Sequence, residues 1–367
     1  MTEAPPGRVA LVAVVDGNQR HRRQVAAALL SLYRVNEYQD AGQALPSLRA
    51  APPDVLLVDE HTPPWDGFAF VRAVRQEPAF ARTPIIVTAR TSDAAFTRAV
   101  HQCGADAAMA KPYRRSVLIK TITTLRNRDV ERTWNDLPPT QLAALNGTVE
   151  AFNTLADTIA TGEPVTFSLV TDACRPLVEA IGKKDFKGIL AGVKDHDNYS
   201  YVHSLRVAAL LALFGQAAGL RHEDQLMLAS GGLLHDVGKL TVPHEVLNKP
   251  GRLDEAEFTV MKSHVTATVG LLRATPGIPV PVITIAEQHH EKLNGQGYPQ
   301  GLNSTQLDEL ARMAAIADVF SALTDRRVYK PPMPAETALA IMSGEMKDHL
   351  DQHCLALFRT MLLDAVV

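Results

Sequence analysis

Gly232-Leu233-Leu234-His235-Asp236-Val237-Gly238-Lys239 decides how the rest of the chain is read. An apolar run ends in an adjacent imidazole and carboxylate, and a lysine stands four residues after the histidine. Imidazole nitrogen and carboxylate oxygen are the donors that suit a catalytic divalent metal outside a thiolate site. At helical spacing His235 and Lys239 share a face, which predicts a cation beside whatever the metal holds. Taken alone, the pair reads more simply as a capped helix end, so its meaning depends on what else the chain supplies.

From Val165 onward the apolar spacing is almost entirely helical. Tyr199 to Phe214 is apolar nearly all round, which predicts a buried helix with His203 and Arg206 inside it. Four further polar sites sit in otherwise apolar segments: His264, the pair His289-His290, Asp318, and His235-Asp236 itself. Singly, each could be a hydrogen-bonded core residue. Together they are five imidazoles and two carboxylates, more than the roughly four to six donors one metal takes. The set suits two metals if one carboxylate bridges them.

The order and context of these residues resemble the HD-GYP family of the HD phosphohydrolase superfamily. The resemblance runs from about Asp195 to Phe358. It is carried by His203-Ser204-Leu205-Arg206, His235-Asp236-Val237-Gly238-Lys239, Leu247-Asn248-Lys249-Pro250-Gly251, Met261-Lys262-Ser263-His264, and His289-His290-Glu291. It continues through Asn294 to Gly301, with Gly297-Tyr298-Pro299 at its centre, and through Asp318 to Thr324. It implies an all-α domain that hydrolyses cyclic di-GMP to linear pGpG or GMP with two divalent transition metals. Iron is expected first, with manganese or nickel as alternatives. By resemblance His203, His235, Asp236 and Asp318 hold one metal, Asp236 bridges, and His264, His289 and His290 complete the other. Lys239 would lie beside them as a catalytic cation. Arg327 and Lys330 would hold substrate phosphate, and Tyr298 would shape the pocket wall. Tyr199 stands where some members carry a glutamate for a third metal, so two are expected. Lys292, Leu293, Asn294 and Ser321 depart from the family pattern. They leave open a second reading, a catalytically weak module that binds a cyclic dinucleotide or a partner protein.

The first third has a different rhythm. Apolar runs at Val9 to Val15, Asp54 to Val58, Pro84 to Val87 and Ala107 to Ala110 end in Asp16, Asp59, Thr88 and Lys111-Pro112. Helical segments lie between them, which predicts a doubly wound α/β domain whose strand ends share one rim. The four polar residues resemble the site of the five-stranded receiver domain of bacterial response regulators. The resemblance implies Asp59 as phosphoacceptor, Asp16 as a Mg²⁺ ligand, and Thr88 and Lys111 as phosphoryl contacts. Gly17 stands where a second acidic residue is usual, and Ala108 where an aromatic switch residue is usual.

The breakers Pro138-Pro139 and Gly162-Glu163-Pro164 bracket an amphipathic helix marked by Leu142, Leu145, Val149, Phe152, Leu155 and Ile159. It could pair with a second copy of the chain or pack on its own. The expected organisation is multidomain α/β plus all-α: receiver 1–130, helical linker 131–164, HD-superfamily domain 165–367. Expected partners are cyclic di-GMP, a sensor histidine kinase, a second copy through the linker helices, and diguanylate-cyclase-type proteins. A net charge of −3 gives no argument for DNA, and no apolar run is long enough for membrane insertion. Cys103, Cys174 and Cys354 form no Cys-x-x-Cys pair, which predicts reduced thiols in a cytoplasmic setting and leaves metal binding to His and carboxylates.

Overall fold

The computed structural model describes residues 10–29, 33–91, 93–161, 166–194, 196, 198–247, 249, 251–325 and 333–366. It divides into two compact units, Met1–Asp129 and Val130–Val367.

The first unit is a parallel sheet of β1 (Leu11–Val15), β2 (Arg34–Tyr38), β3 (Val55–Asp59), β4 (Ile85–Ala89) and β5 (Ala107–Ala110). Its order is β2-β1-β3-β4-β5. After each strand comes a helix: α1 (Gln19–Leu29), α2 (Ala41–Ala50), α3 (Gly67–Arg75), α4 (Ala94–Cys103) and α5 (Arg115–Thr133). Alternate strand residues face opposite ways. Ala13, Val15, Leu56 and Val58 pack with Leu48, Phe70, Val74 and Val100 of α2, α3 and α4. Val12, Val14 and Leu57 pack with Val25, Leu118 and Ile122 of α1 and α5. Each fully buried Val, Leu or Ile contributes roughly 1.5–3 kcal/mol, and both faces are covered, so the central strands read as continuous apolar runs.

Strand β2 is the element the apolar runs did not place. Arg-Val-Asn-Glu-Tyr sits at the sheet edge with no fully buried position, so it carries no such run. Helix α3 starts at Gly67, where Asp66 caps it by accepting from the Ala69 amide at 2.7 Å.

The second unit is helical: α6 (Pro139–Thr161), α7 (Phe167–Gly182), α8 (Lys187–Gly192), α9 (Tyr199–Ala217), α10 (His222–Leu234), α11 (His244–Leu247), α12 (Glu255–Ala274), α13 (Val280–Gln288), α14 (Glu309–Thr324), α15 (Ala335–Ser343) and α16 (Gln352–Val366). Helix α9 is its axis, buried from Tyr201 to Gly215 except at Arg206. It packs against α7, α10, α14 and α16. At its crossing with α10 a Cβ on Gly232 would lie 2.7 Å from the Ala208 backbone, so only glycine allows that approach.

Of the segment 131–164 expected as a linker, helix α6 packs into this unit's core. Leu145, Phe152 and Leu155 of α6 are buried with Leu177 and Leu205, and Leu142, Val149 and Ile159 pack against the same cluster. Of the two readings of its apolar face, a second copy or its own chain, the structure shows the second. Trp134 is fully buried as well, with its indole N–H donating to the Gly192 carbonyl at 2.8 Å.

Candidate metal centre

Five helices bring the seven donors together. His203 lies in the first turns of α9, His264 within α12 and Asp318 within α14. His235 and His289 are the C-caps of α10 and α13, with Asp236 and His290 directly after them. Past Asp236 the chain tightens into a 3₁₀ turn, Val237–Thr241. That turn is seated on α12, where the Gly238 amide donates to Thr268 Oγ1 at 2.9 Å.

The two oxygens of Asp236 face different pairs of imidazoles. Oδ2 lies 3.2 Å from His235 Nε2 and 3.5 Å from His203 Nε2. Oδ1 lies 3.1 Å from His264 Nε2 and 3.7 Å from His289 Nε2. Asp318 Oδ1 is 3.0 Å from His203 Nε2, and its Oδ2 is 3.6 Å from His290 Nδ1. Two donor groups result, each with its ligand atoms within 4.8 Å of one another: His203, His235, Asp236 and Asp318, and Asp236, His264, His289 and His290. Asp236 is common to both.

The donor set fits divalent metal ions. His235, His264 and His289 each donate Nδ1–H to the carbonyl three residues back, Gly232 at 2.7 Å, Met261 at 2.6 Å and Ala286 at 2.9 Å. That bond fixes the tautomer and leaves the Nε2 lone pair free, the usual outer support of a metal-binding histidine. Nε2 of His203, His235, His264 and His289 and Oδ1 of Asp236 are buried without a hydrogen-bond partner. The short His–Asp separations thus lack hydrogen-bond geometry. Each unmade buried bond costs about 1–3 kcal/mol, and shared coordination to a cation would offset all five.

The electrostatics divide the donors. Burial alone would raise the carboxyl of Asp236, but the Lys239 ammonium and the neighbouring imidazoles overrule it and hold it well below the usual range. Asp318 is also held well below that range, His203 and His235 outweighing burial. Burial pushes His289 and His290 down, which favours neutral imidazoles there; burial would lower His203 and His235 as well, but the Asp236 and Asp318 carboxylates overrule it and raise both.

Lys239 reaches the centre differently from the helical expectation. Helix α10 ends at Leu234, so His235 and Lys239 do not share a helical face; the 3₁₀ turn instead aims the ammonium onto Asp236 Oδ2. The Tyr298 ring lies 4.8 Å from that of His290, centre to centre. Arg327 and Lys330 lie outside the described residues.

Three further residues support the centre and its loop. Ser321 Oγ meets His203 Nδ1 at 3.3 Å and Asp325 Oδ2 at 3.4 Å, and Asp325 pairs with Arg206 at 3.1 Å. The four-residue spacing of Ser321 and Asp325 on one helical face was the available signal. Glu291 is buried and accepts from the amides of Gln300 at 2.6 Å, Gly301 at 3.1 Å and Leu302 at 3.0 Å, closing the loop that carries Tyr298. Glu291→Ala is expected to lower unfolding stability by about 3 kcal/mol, because three amides lose a charged acceptor and regain only part of it from water. Urea denaturation checks this, with faster amide exchange at 300–302 locating the damage.

In the first unit, Asp16, Asp59, Thr88 and Lys111 meet at the carboxyl ends of β1, β3, β4 and β5. Lys111 Nζ donates to Asp59 Oδ2 at 2.5 Å and to Asp16 Oδ2 at 2.9 Å. Thr88 Oγ1 lies 3.4 Å from Asp59 Oδ2. The sequence reading missed His21, whose Nδ1 sits 2.5 Å from Asp16 Oδ2 and whose Nε2 sits 3.0 Å from the Tyr113 hydroxyl. Burial alone would raise the Asp16 carboxyl; His21 and Lys111 overrule it and hold it below the usual range.

Comparison with known proteins finds one family match in each unit. Residues 12–123 match the response regulator receiver domain and residues 191–354 match the HD domain. The chain therefore carries a receiver domain followed by an HD domain. It is 27% identical over 352 residues to the cyclic di-GMP phosphodiesterase response regulator RpfG of Xanthomonas campestris pv. campestris, covering 94% of this chain and 85% of that relative. It is 37% identical over 164 residues to the 3'3'-cGAMP-specific phosphodiesterase 3 of Vibrio cholerae, covering 45% of this chain and only 35% of that relative. In fold it is similar to Bd1817, an HD-GYP-type protein of Bdellovibrio bacteriovorus, with a TM-score of 0.50 at 20% identity over 66% of this chain and 79% of that one. Among the described residues no helix is long and apolar enough to cross a membrane.

Proposed function

We propose that this chain is a metal-dependent phosphodiesterase that hydrolyses cyclic di-GMP to linear pGpG or GMP at a binuclear centre, under control of its receiver domain. The observation that carries the reading is Asp236, whose two oxygens each face a separate pair of imidazoles with unpartnered Nε2 atoms. His203, His235 and Asp318 would hold one metal, and His264, His289 and His290 the other, with Asp236 between them. Iron is the expected metal, with manganese or nickel as alternatives. When bound, such a pair supplies Lewis acidity that polarises the phosphodiester and lowers the pKa of an attacking water.

The chain's own residues do the rest. The low carboxyl pKa of Asp236 and Asp318 keeps both ionised at neutral pH. Lys239 keeps the bridge oriented and sets a positive charge beside the phosphoryl oxygens, where negative charge grows in the transition state. The buried setting strengthens these interactions over their value in water. Arg327, Lys330 and Tyr298 are proposed as substrate contacts on the family resemblance.

Metal-loaded protein is expected to turn over cyclic di-GMP, with pGpG or GMP resolved by chromatography. Absence of product with iron, manganese and nickel alike would contradict the reading. The 37% identity to a 3'3'-cGAMP-specific relative favours that dinucleotide as the second substrate to try.

Control through the receiver is supported by the ring of Asp16, Thr88 and Lys111 around Asp59. Within the second unit, α6 packs against the 237–241 turn that carries Lys239, so a shift of α6 would reach the centre. A sensor histidine kinase would supply the phosphoryl group, with Mg²⁺ at Asp16. A small acyl-phosphate donor is expected to change turnover about fivefold or more, the low end of ordinary coupling energies. Asp59→Ala should remove the response; a response that persists in that variant rules out Asp59 as its origin.

A further inference from the structure

Two aromatic rings reach solvent beside the buried cluster, one on each half of it. Tyr199, the first residue of α9, is 36% exposed. Its ring lies nearly parallel to that of His203, with centres 6.1 Å apart and planes 16° apart. Phe258, on α12 six residues before His264, is 45% exposed. It meets Tyr298 edge-on at 6.0 Å, and Tyr298 lies 6.5 Å from His264 and 4.8 Å from His290. Tyr199 thus borders the donor group of His203, His235 and Asp318, whereas Phe258 and Tyr298 border that of His264, His289 and His290. Lys262 Nζ sits 5.1 Å from the centre of the Phe258 ring, which adds a positive charge on that side.

A cyclic dinucleotide has a matching layout. Its two phosphodiesters close one ring, and its two purines leave that ring on opposite sides. With one phosphodiester at the Asp236 centre, the bases would diverge toward the two halves of the cluster. A purine offers a flat π-face, and an exposed aromatic ring is the side chain that accepts it without regard to hydrogen-bond pattern.

We infer that Tyr199 and Phe258 are base-stacking platforms of the substrate pocket, one for each purine of a cyclic dinucleotide, with Tyr298 backing Phe258. The inference rests on the phosphodiesterase reading above and adds the residues that select a dinucleotide over a simpler diester.

The test compares kcat/KM for cyclic di-GMP with that for bis(p-nitrophenyl) phosphate, a diester without purines, on metal-quantified protein. In Tyr199→Ala and in Phe258→Ala the ratio of the two is expected to fall about tenfold or more, chiefly through KM for the dinucleotide. Tyr199→Phe and Phe258→Tyr should recover most of the loss, because the π-face is retained. If an alanine variant does not fold, Tyr199→Leu or Phe258→Leu keeps bulk without the π-face and should show the same fall. A ratio that stays put in the alanine or leucine variants overturns the inference, and so does an equal fall in the aromatic variants. Wild-type protein that cleaves only the simple diester would overturn the dinucleotide reading and the platforms with it. Wild-type protein that cleaves both substrates, with the ratio unmoved by substitution, would overturn the platforms alone.

Discussion

Asp236→Ala is expected to lose both metals and to lower phosphodiesterase activity by at least about a thousandfold, well beyond the ~10–100-fold that removal of an outer-shell partner costs. The reason is geometric. Every other donor serves one group, but Asp236 puts Oδ2 against His203 and His235 and Oδ1 against His264 and His289. Its removal takes a ligand from each group at once and leaves the Lys239 ammonium beside the imidazoles without its carboxylate partner. Two like dications would then sit in one buried site with one carboxylate fewer to offset them. Asp236→Asn keeps the shape and one oxygen, so it should retain part of the metal. Elemental analysis with turnover on the same protein reads the effect. Two metals per chain in Asp236→Ala would show that the carboxylate is not the bridge.

Gly238→Ala is the second large effect. A Cβ there would lie 2.1 Å from the His264 carbonyl oxygen and 2.7 Å from the Thr268 amide nitrogen, both backbone atoms of α12. Neither can swing aside as a side chain could. The Gly238 amide and the His264 carbonyl also share Thr268 Oγ1, at 2.9 and 2.8 Å. The turn must therefore lift off the helix, at a cost of about 1–3 kcal/mol or more for overpacking. Lifting it separates Asp236 from His264, and a displacement of ~1 Å near reacting groups can cost about a hundredfold in rate. Gly270→Ala on the same helix is the control. Nothing lies within 4 Å of its Cβ, so gaining alanine's helix propensity should leave stability equal or raise it by up to about 1 kcal/mol. Equal stability and activity in Gly238→Ala and wild type would contradict the close seat.

Much of the site was legible in the sequence because burial makes donors conspicuous. His203 and Asp318 stand in buried, mostly apolar stretches of α9 and α14, and a polar atom there needs a partner. The strand ends of the first unit were legible for the same reason: β1, β3 and β4 are buried on both faces, and Asp16, Asp59 and Thr88 stand at or beside their carboxyl ends. What escaped depends on pairing that periodicity does not encode. Strand β2 is recognisable only through its ladder with β1. The position of Lys239 depends on where α10 stops and a tighter turn begins, and His235 and Asp236 carry no breaker to announce it. Asp325 and Glu291 act through other residues, on His203 and on a loop, so their roles emerge only once those partners are in place. The helical repeat of 139–161 predicted an amphipathic helix, yet periodicity does not say which surface covers it; here it is the chain's own core.

The central claim is that Asp236 joins two metals in one working phosphodiesterase centre. Metal content and cyclic di-GMP turnover, measured together on the same anaerobically purified protein, test it most directly. The expected result is two metals per chain, with turnover rising and falling with the second. Full turnover at one metal per chain, or two metals per chain and no hydrolysis of cyclic di-GMP, would contradict it.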